Sequence, residues 1–421
     1  MVVVNKAYRF QAYPDDQQAN LLNQTFGCAR FVWNLMLHDL KTSYNKTKKF
    51  SYPTPAHYKD EYPFLKDIDS MALCNVQMNL KQALSRFLKD RKLSKKRKTR
   101  FPKFKSKHKT KKSYTTSCIN QNIRIENGKL RLPKVGLLDV VLHRRVEGKI
   151  KHVTITQEPT GKYFVSILTE QDDLPKQEID SNNVVGLDFS FHDLIVTHKG
   201  AKAKHLEWIR RQEKKTARAQ RILSRRTRGS KGYEKQKIKV ALIHEKTRNK
   251  RLNLLRLICC RLLARYDVIV VEDIDLTGMM KRGKRRRYGK SIGRLGFGEL
   301  RTMLMLRAEQ LGKLFVKVSK WFPSSQLCSC CGYRNKNTKD LSIRKWTCPE
   351  CGTQHDRDQN AAQNLVNLYL FCKSTGATPG SYAEGEVASA FRLWLKRKHL
   401  RRTRKNRGTG SHKPLALARG S

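Results

Sequence analysis

A chain of 421 residues with 89 Lys and Arg against 35 Asp and Glu carries a net charge of +54, and self-repulsion of that size opposes a compact state unless a polyanion offsets it. The 38% hydrophobic share is still globular, and the length suits two or three domains. No apolar run reaches the roughly 18 residues of a membrane span, "MVVVNKAYRF" is too short for a signal peptide, and eleven cysteines, an odd number, argue against a disulfide framework. Nucleic acid is the expected partner, and a membrane is not.

Tyr8, Phe10 and Ala12 alternate with Arg9 and Gln11, which predicts a strand. Pro14, Asp15 and Asp16 then open a helix whose Ala19, Leu22, Phe26, Ala29 and Trp33 recur at three- and four-residue spacing. A second helix is expected from about Met71 to Lys89. It runs into "KDRKLSKKRKTRFPKFKSKHKTKK", in which 14 of 24 residues are Lys or Arg, read as a basic linker. Beyond it the period becomes two. Ile123 and Ile125 face Leu130 and Leu132 across Asn127-Gly128, a hairpin signal, and Val153 and Ile155 face Tyr163, Val165 and Ile167 across "EPTG". Residues 113–180 therefore predict a small antiparallel sheet or barrel, with the first strand joining it and the helices inserted between.

From about residue 183 the pattern is α/β. "VVGLDFS" reads as a buried strand with "LIVTHKG" as its antiparallel neighbour. A basic helical hairpin interrupted at Gly229 and Gly232 comes next, then buried strands "YDVIVVED" and "KLFVKVS". Past Cys372 the chain turns polar and then becomes "KRKHLRRTRKNR", so residues 374–421 read as a solvated, disordered tail.

Cys328-x2-Cys331 and Cys348-x2-Cys351 are separated by 16 residues, and a glycine ends each pair. Two such turns can bring four thiolates to the corners of a tetrahedron, so a structural zinc ribbon is expected. A redox pair or buried free thiols is the alternative, with Cys330 and His355 as bystanders.

Acids are scarce, so those in apolar strands stand out. Asp188 shares a strand face with Val184 and Gly186, Glu272 ends a buried strand, and Asp358 opens the helix "DQNAAQNL". Taken singly, each has a plainer reading. Asp358 caps a helix, Glu272 or Asp273 is a solvated strand end, and Asp188 is a turn residue. Taken together, they fit a site for two divalent cations roughly 4 Å apart. The order Asp, Glu, Asp, about 85 residues apart, matches a ribonuclease-H-like arrangement. It does not match the Asp, Asp, Glu order of cut-and-paste transposases.

"GLDFS", "VVEDIDL", "SSQLCSCCGYRN", "WTCPECG" and "HDRDQNAAQNL" together resemble the TnpB proteins, transposon-encoded RNA-guided nucleases related to the type V CRISPR effectors. The resemblance implies an α/β RNase-H-like (RuvC) nuclease domain with an inserted zinc ribbon, plus a small β-barrel wedge domain with an inserted helical recognition domain. On that reading the wedge is 1–13 and 113–180, the recognition domain with its basic linker 14–112, the nuclease domain 181–322 and 354–373, the ribbon 323–353, and the tail 374–421. It implies catalytic, Mg²⁺-binding roles for Asp188, Glu272 and Asp358, with two magnesium ions. Asp356 is left out of metal binding, and one Zn²⁺ sits on Cys328, Cys331, Cys348 and Cys351.

The implied partners are a guide RNA from the transposon end and a double-stranded DNA target next to a short transposon-adjacent motif, in a prokaryotic cytoplasm. Gln77 and Asn79, in "NVQMNLKQAL", are candidates for base contact or simply an exposed helix face. The run "KRGKRRRYGK", with Lys284, Arg285, Arg286 and Arg287, is either a phosphate-gripping or gating loop or a solvated one. Two other functions stay open: a catalytically silent RNA-guided DNA-binding repressor, and a guide-free RNase-H-like nuclease.

Overall fold

The computed structural model describes residues 3–92, 99–172, 178–190, 193–203, 206–275, 295–340, 342–379 and 385–408. Two compact units emerge, Met1–Pro175 with Arg228–Leu242, and Lys176–Thr227 with Ile243–Ser421.

In the first unit, β1 (Val3–Tyr13) leads into α1 (Asp16–Thr47), with Asp15 as N-cap in a reciprocal capping box with Gln18. The short α2 (Tyr58–Glu61) precedes α3 (Ser70–Lys92). Strands β2 (Lys112–Ser117), β3 (Arg124–Glu126), β4 (Lys129–Leu132), β5 (Gly136–Val140), β6 (Lys149–Gln157) and β7 (Tyr163–Asp172) join β1 in one sheet. Its order is β2-β6-β7-β1-β5-β4-β3. The predicted hairpin pairs Ile125 with Leu130 across Asn127-Gly128, both at positive φ, as a two-residue turn of this hand requires. End strands β2 and β3 are not bonded to each other. Among the described residues the seven strands form one antiparallel sheet, one of the two forms, sheet or barrel, that the alternation allowed.

Leu22, Phe26, Ala29, Val32 and Met36 of α1, with Leu73, Val76 and Leu80 of α3, share one core with Tyr8, Phe10, Val153, Val165 and Ile167 of the sheet. The described part of the basic segment is not a free linker. Trp33 donates to the Lys103 carbonyl at 3.0 Å, Asn34 bonds both backbone groups of Lys105, and the Lys105 ammonium sits 3.8 Å from the Trp33 ring centroid.

The second unit holds a five-stranded sheet of β8 (Val184–Asp188), β9 (Ile195–Thr197), β10 (Lys202–Ala203), β11 (Val268–Glu272) and β12 (Leu314–Val318), ordered β10-β9-β8-β11-β12. β8, β11 and β12 are parallel, and β9 is antiparallel to β8. Helix α4 (Leu206–Ser224) belongs to this unit, and α5 (Lys231–Arg265) starts in the first unit and ends in the second; these are the two basic helices expected. They are followed by α6 (Phe297–Gln310), α7 (Arg357–Thr375) and α8 (Gly385–Gly408). β8 and β11 are buried on both faces, which explains their apolar runs, while β12 at the sheet edge is mostly half-buried or exposed. Val185, Leu187, Ile269 and Val271 pack on Leu255, Leu262, Leu300 and Leu304, while Val184, Val268 and Val270 pack on Leu365, Val366 and Leu368 of α7.

The expected disordered tail is corrected over Gly385–Gly408, which is helical. Phe391 and Leu395 are fully buried on one face of α8, with the Phe391 ring 5.7 Å from Phe322 and 5.6 Å from Phe371. Phe391→Ala is expected to cost about 3–5 kcal/mol, read as a lower urea midpoint and earlier proteolysis within 385–408. None of the described helices is long and apolar enough to cross a membrane.

Candidate active site and zinc cluster

Asp188 and Glu272 end adjacent parallel strands, and ligands of open α/β sheets gather beyond those carboxyl ends. The helix that brings Asp358 to them does so by close approach. A Cβ at Gly186 would fall inside the contact radius of the Ala362 carbonyl oxygen and 3.0 Å from Val366 Cγ2. Ala362 therefore lies over Gly186. Four helical residues back is a rise of about 6 Å, and two strand residues forward is about 6.6 Å. That places Asp358 across from Asp188.

Electrostatics record the meeting. Burial first, then the charges of Asp358 and Glu272, push the Asp188 carboxyl up to about 8, against the opposing pull of Arg357 and the Phe189 amide. Burial pushes Glu272 up to about 7, and a hydrogen bond from Ser324 Oγ (3.3 Å to Glu272 Oε2) moderates the rise. Asp188, buried and faced by two further carboxylates, is short of positive charge, and a donor set of this kind suits divalent cations.

Part of that deficit is met by protein. Arg344 Nη1 lies 3.2 Å from Asp358 Oδ2 and 3.3 Å from Oδ1. Asp356, not Asp358, caps α7, accepting from the Asp358 and Gln359 amides, while its other oxygen meets Lys202 at 3.0 Å. Burial alone would raise the Asp356 pKa, but Lys202 and the cap amides hold it below the usual carboxylate value. The capping alternative for Asp358 is therefore set aside, which leaves its carboxylate turned toward the strand ends.

The four cysteine Sγ atoms all lie within 4.8 Å of one another, and among the described residues no other group of Cys, His, Asp and Glu gathers so tightly. Cys328–Cys351 and Cys331–Cys348 are each 3.6 Å apart, near the edge of about 3.8 Å that zinc–thiolate bonds of ~2.3 Å require. The two knuckles are alike. Gly332 N–H donates to the Cys328 carbonyl and Gly352 N–H to the Cys348 carbonyl, both at 2.9 Å, and both glycines sit at positive φ. The donor set fits a closed structural zinc. His355 stays outside the four-sulfur group, as expected of a bystander, yet it touches it. Its Nε2 is 3.1 Å from Cys328 Sγ, and its ring packs on Trp346. Cys330 likewise has a partner, His399 Nδ1 at 3.2 Å.

The ribbon is bolted to α7 by three buried carboxamides on one helical face. Asn360 and Asn364 both donate to the Leu327 carbonyl at 2.7 Å, Asn364 also to Ser324, and Asn367 to Ser329. This accounts for the asparagines of "NAAQNLVN". They satisfy backbone carbonyls that the ribbon's entry segment leaves buried. The ribbon's entry segment and α7 are mechanically joined through them.

Sequence reasoning missed Ser324, Arg344 and the Asn364–Asn367 clamp, because each is recognised only by contacts far along the chain. Of the candidate base-reading residues, Asn79 is exposed and lines a cavity of about 220 Å³ with Arg30, Asn75, Lys105, Lys111 and Lys112. Gln77 is half-buried and does not line it. Lys284, Arg285, Arg286 and Arg287 lie outside the described residues.

Residues 297–365 match the family model "Cas12f1-like, TNB domain", residues 165–283 the OrfB model "Probable transposase", and residues 1–49 a "Helix-turn-helix domain" of the same group. The last stretch is here a strand followed by one continuous helix. The chain is 32% identical over 388 residues to a "Putative RNA-guided DNA endonuclease" of Streptomyces pristinaespiralis, covering 89% of this chain and 92% of that one. It is 28% identical over 382 residues to "Putative RNA-guided DNA endonuclease InsQ" of Escherichia coli (strain K12), covering 86% and 91%. In fold it is similar to the protein of a Cas12f1-sgRNA-target DNA complex, with a TM-score of 0.53 over 86% of this chain and 99% of that one, at 13% identity. With the motifs, the four-cysteine cluster and a full-length relative in agreement, the chain belongs to the TnpB/OrfB family of IS605-type transposon proteins, related in fold to Cas12f.

Proposed function

We propose that the protein is a guide-RNA-directed endonuclease that cleaves double-stranded DNA beside a short transposon-adjacent motif, with Asp188, Glu272 and Asp358 holding two magnesium ions. The observation that carries this is the convergence of three acids, two of them driven to pKa values of about 8 and 7, at the carboxyl ends of parallel strands. Divalent cations bound there supply charge for the phosphodiester and polarise the attacking water. Around them, Ser324 fixes the Glu272 carboxylate, and the Asp356 cap with Lys202 sets the start of α7. Arg344, half exposed beside Asp358, offers its remaining donors to a phosphate. In the same reading, residues 1–13 and 113–180 serve as the wedge and 14–112 as the recognition domain, with Asn79 the better placed of the two base-reading candidates. The +54 charge answers the phosphates of guide and target.

The names of the full-length relatives support guidance over a guide-free nuclease. The intact acid set supports cleavage over silent binding. Purification from cells that carry the native flanking locus, followed by sequencing of bound RNA, tests the guide. One abundant RNA with a short variable end supports it, and heterogeneous RNA stripped by salt removes it.

The raised pKa values also set a pH dependence. At pH 6 Asp188 and Glu272 hold protons that a cation must displace. Cleavage at limiting magnesium should therefore climb between pH 6 and 8 and level above about 8, and saturating magnesium should move the inflection to lower pH. A flat profile at limiting magnesium would contradict the raised values.

A further inference from the structure

We propose that Trp321 is a stacking platform for a nucleobase of the single DNA strand held at the carboxylates, an inference that rests on the nuclease reading. At 69% exposure it is the most exposed large hydrophobic side chain among the described residues. A lone exposed apolar residue ordinarily needs no explanation, but this one is held out rigidly. Phe322 donates its amide to the Ser319 carbonyl at 3.0 Å, closing a tight turn, and the Trp321 amide meets Ser319 Oγ at 3.3 Å. The Phe322 side chain is anchored in the core against Phe391, so the turn cannot roll to bury the indole.

Both ends of the turn are tied to the Glu272 segment, one through the backbone and one through the carboxylate. Val318 is the register partner of Glu272, and its carbonyl accepts from the Asp273 amide at 2.8 Å. Ser324 bonds the Glu272 carboxylate. Trp321 is three residues from each, within about 11 Å of chain. Its neighbour Lys320 is exposed and places its ammonium 4.8 Å from the indole centroid. An aromatic face beside a cation, next to the candidate cleavage site of a strongly basic protein, meets both needs of a single strand: a surface for the base and a charge for its phosphate. Stacking of this kind tolerates any base and requires the strand to be unpaired.

The test uses the full chain with its bound RNA. Tryptophan fluorescence is titrated with an unstructured single-stranded oligonucleotide without magnesium, and KM and kcat are measured with magnesium. Wild type should show quenching that is absent from Trp321→Phe. Trp321→Ala should weaken single-strand binding by about 5- to 100-fold and raise KM more than it lowers kcat, and Trp321→Phe should recover most of the affinity. Trp321→Ala binding and cleaving like wild type overturns the platform while leaving the nuclease reading intact. If no chain cleaves at all, the nuclease reading fails, and the magnesium-free titration still decides whether Trp321 stacks. Loss of self-association in Trp321→Ala at unchanged DNA affinity would assign the indole to a protein contact and overturn the proposal.

Discussion

Asp188→Asn is expected to abolish cleavage, by at least about a thousandfold (~4 kcal/mol), and at the same time to stabilise the magnesium-free protein. The two effects share one cause. Asp188 ionises at its ordinary low value in the unfolded chain but only near pH 8 in the folded one, where burial and two neighbouring carboxylates oppose its charge. A raised folded pKa means stability that is fully present below about pH 4 and is lost as pH rises toward 8. Asparagine removes that loss, which is of the order of a few kcal/mol at pH 8. The melting temperature of Asp188→Asn should exceed that of wild type at pH 8 and converge with it toward pH 4. Added magnesium should raise wild type and not the variant. A variant less stable than wild type at pH 8 would show that the acids do not repel.

The second large effect concerns a residue with no chemistry. Gly186→Ala should prevent the second unit from folding, or cost more than about 4 kcal/mol, because its Cβ would collide with the Ala362 carbonyl of α7. Strand and helix are both backbone there, and neither can yield without moving Asp358 from Asp188. Gly27 in α1 is the control. A Cβ there meets nothing within 4 Å, so Gly27→Ala should stabilise by about 1 kcal/mol through helix propensity. Opposite signs for the same substitution, read in urea midpoints, would establish close approach as the cause. Soluble, active Gly186→Ala protein would overturn the packing account of how Asp358 is positioned.

These cases also show how much of the molecule was legible in its sequence. Alternation put Val184, Gly186 and Asp188 on one strand face, and the period change at residue 113 separated sheet from helices, because both signals are local. The pairing of Ile125 with Leu130 followed from Asn127-Gly128 for the same reason. What the pattern could not reveal was what covers each face. Gly186 read as one more apolar position until α7 was seen to lie on it. Asp356 and Asp358 differ in role only through the direction in which the backbone enters α7. Arg344 and Ser324 reach acids 14 and 52 residues away. Helix α8 was hidden by composition, since the Lys and Arg around Phe391 and Leu395 outweigh the two residues that dock it.

The most direct test of the central claim is the magnesium-dependent cleavage rate of a guide-matched duplex, with wild type and Glu272→Gln compared at equal bound RNA. The account predicts that wild type cuts the matched duplex and spares a mismatched one. It predicts that Glu272→Gln binds the matched duplex equally well and cuts it at least about a thousandfold more slowly. Comparable cutting by both proteins would place the chemistry elsewhere. Cutting that ignores the guide would leave a basic nuclease with no RNA-directed choice of target.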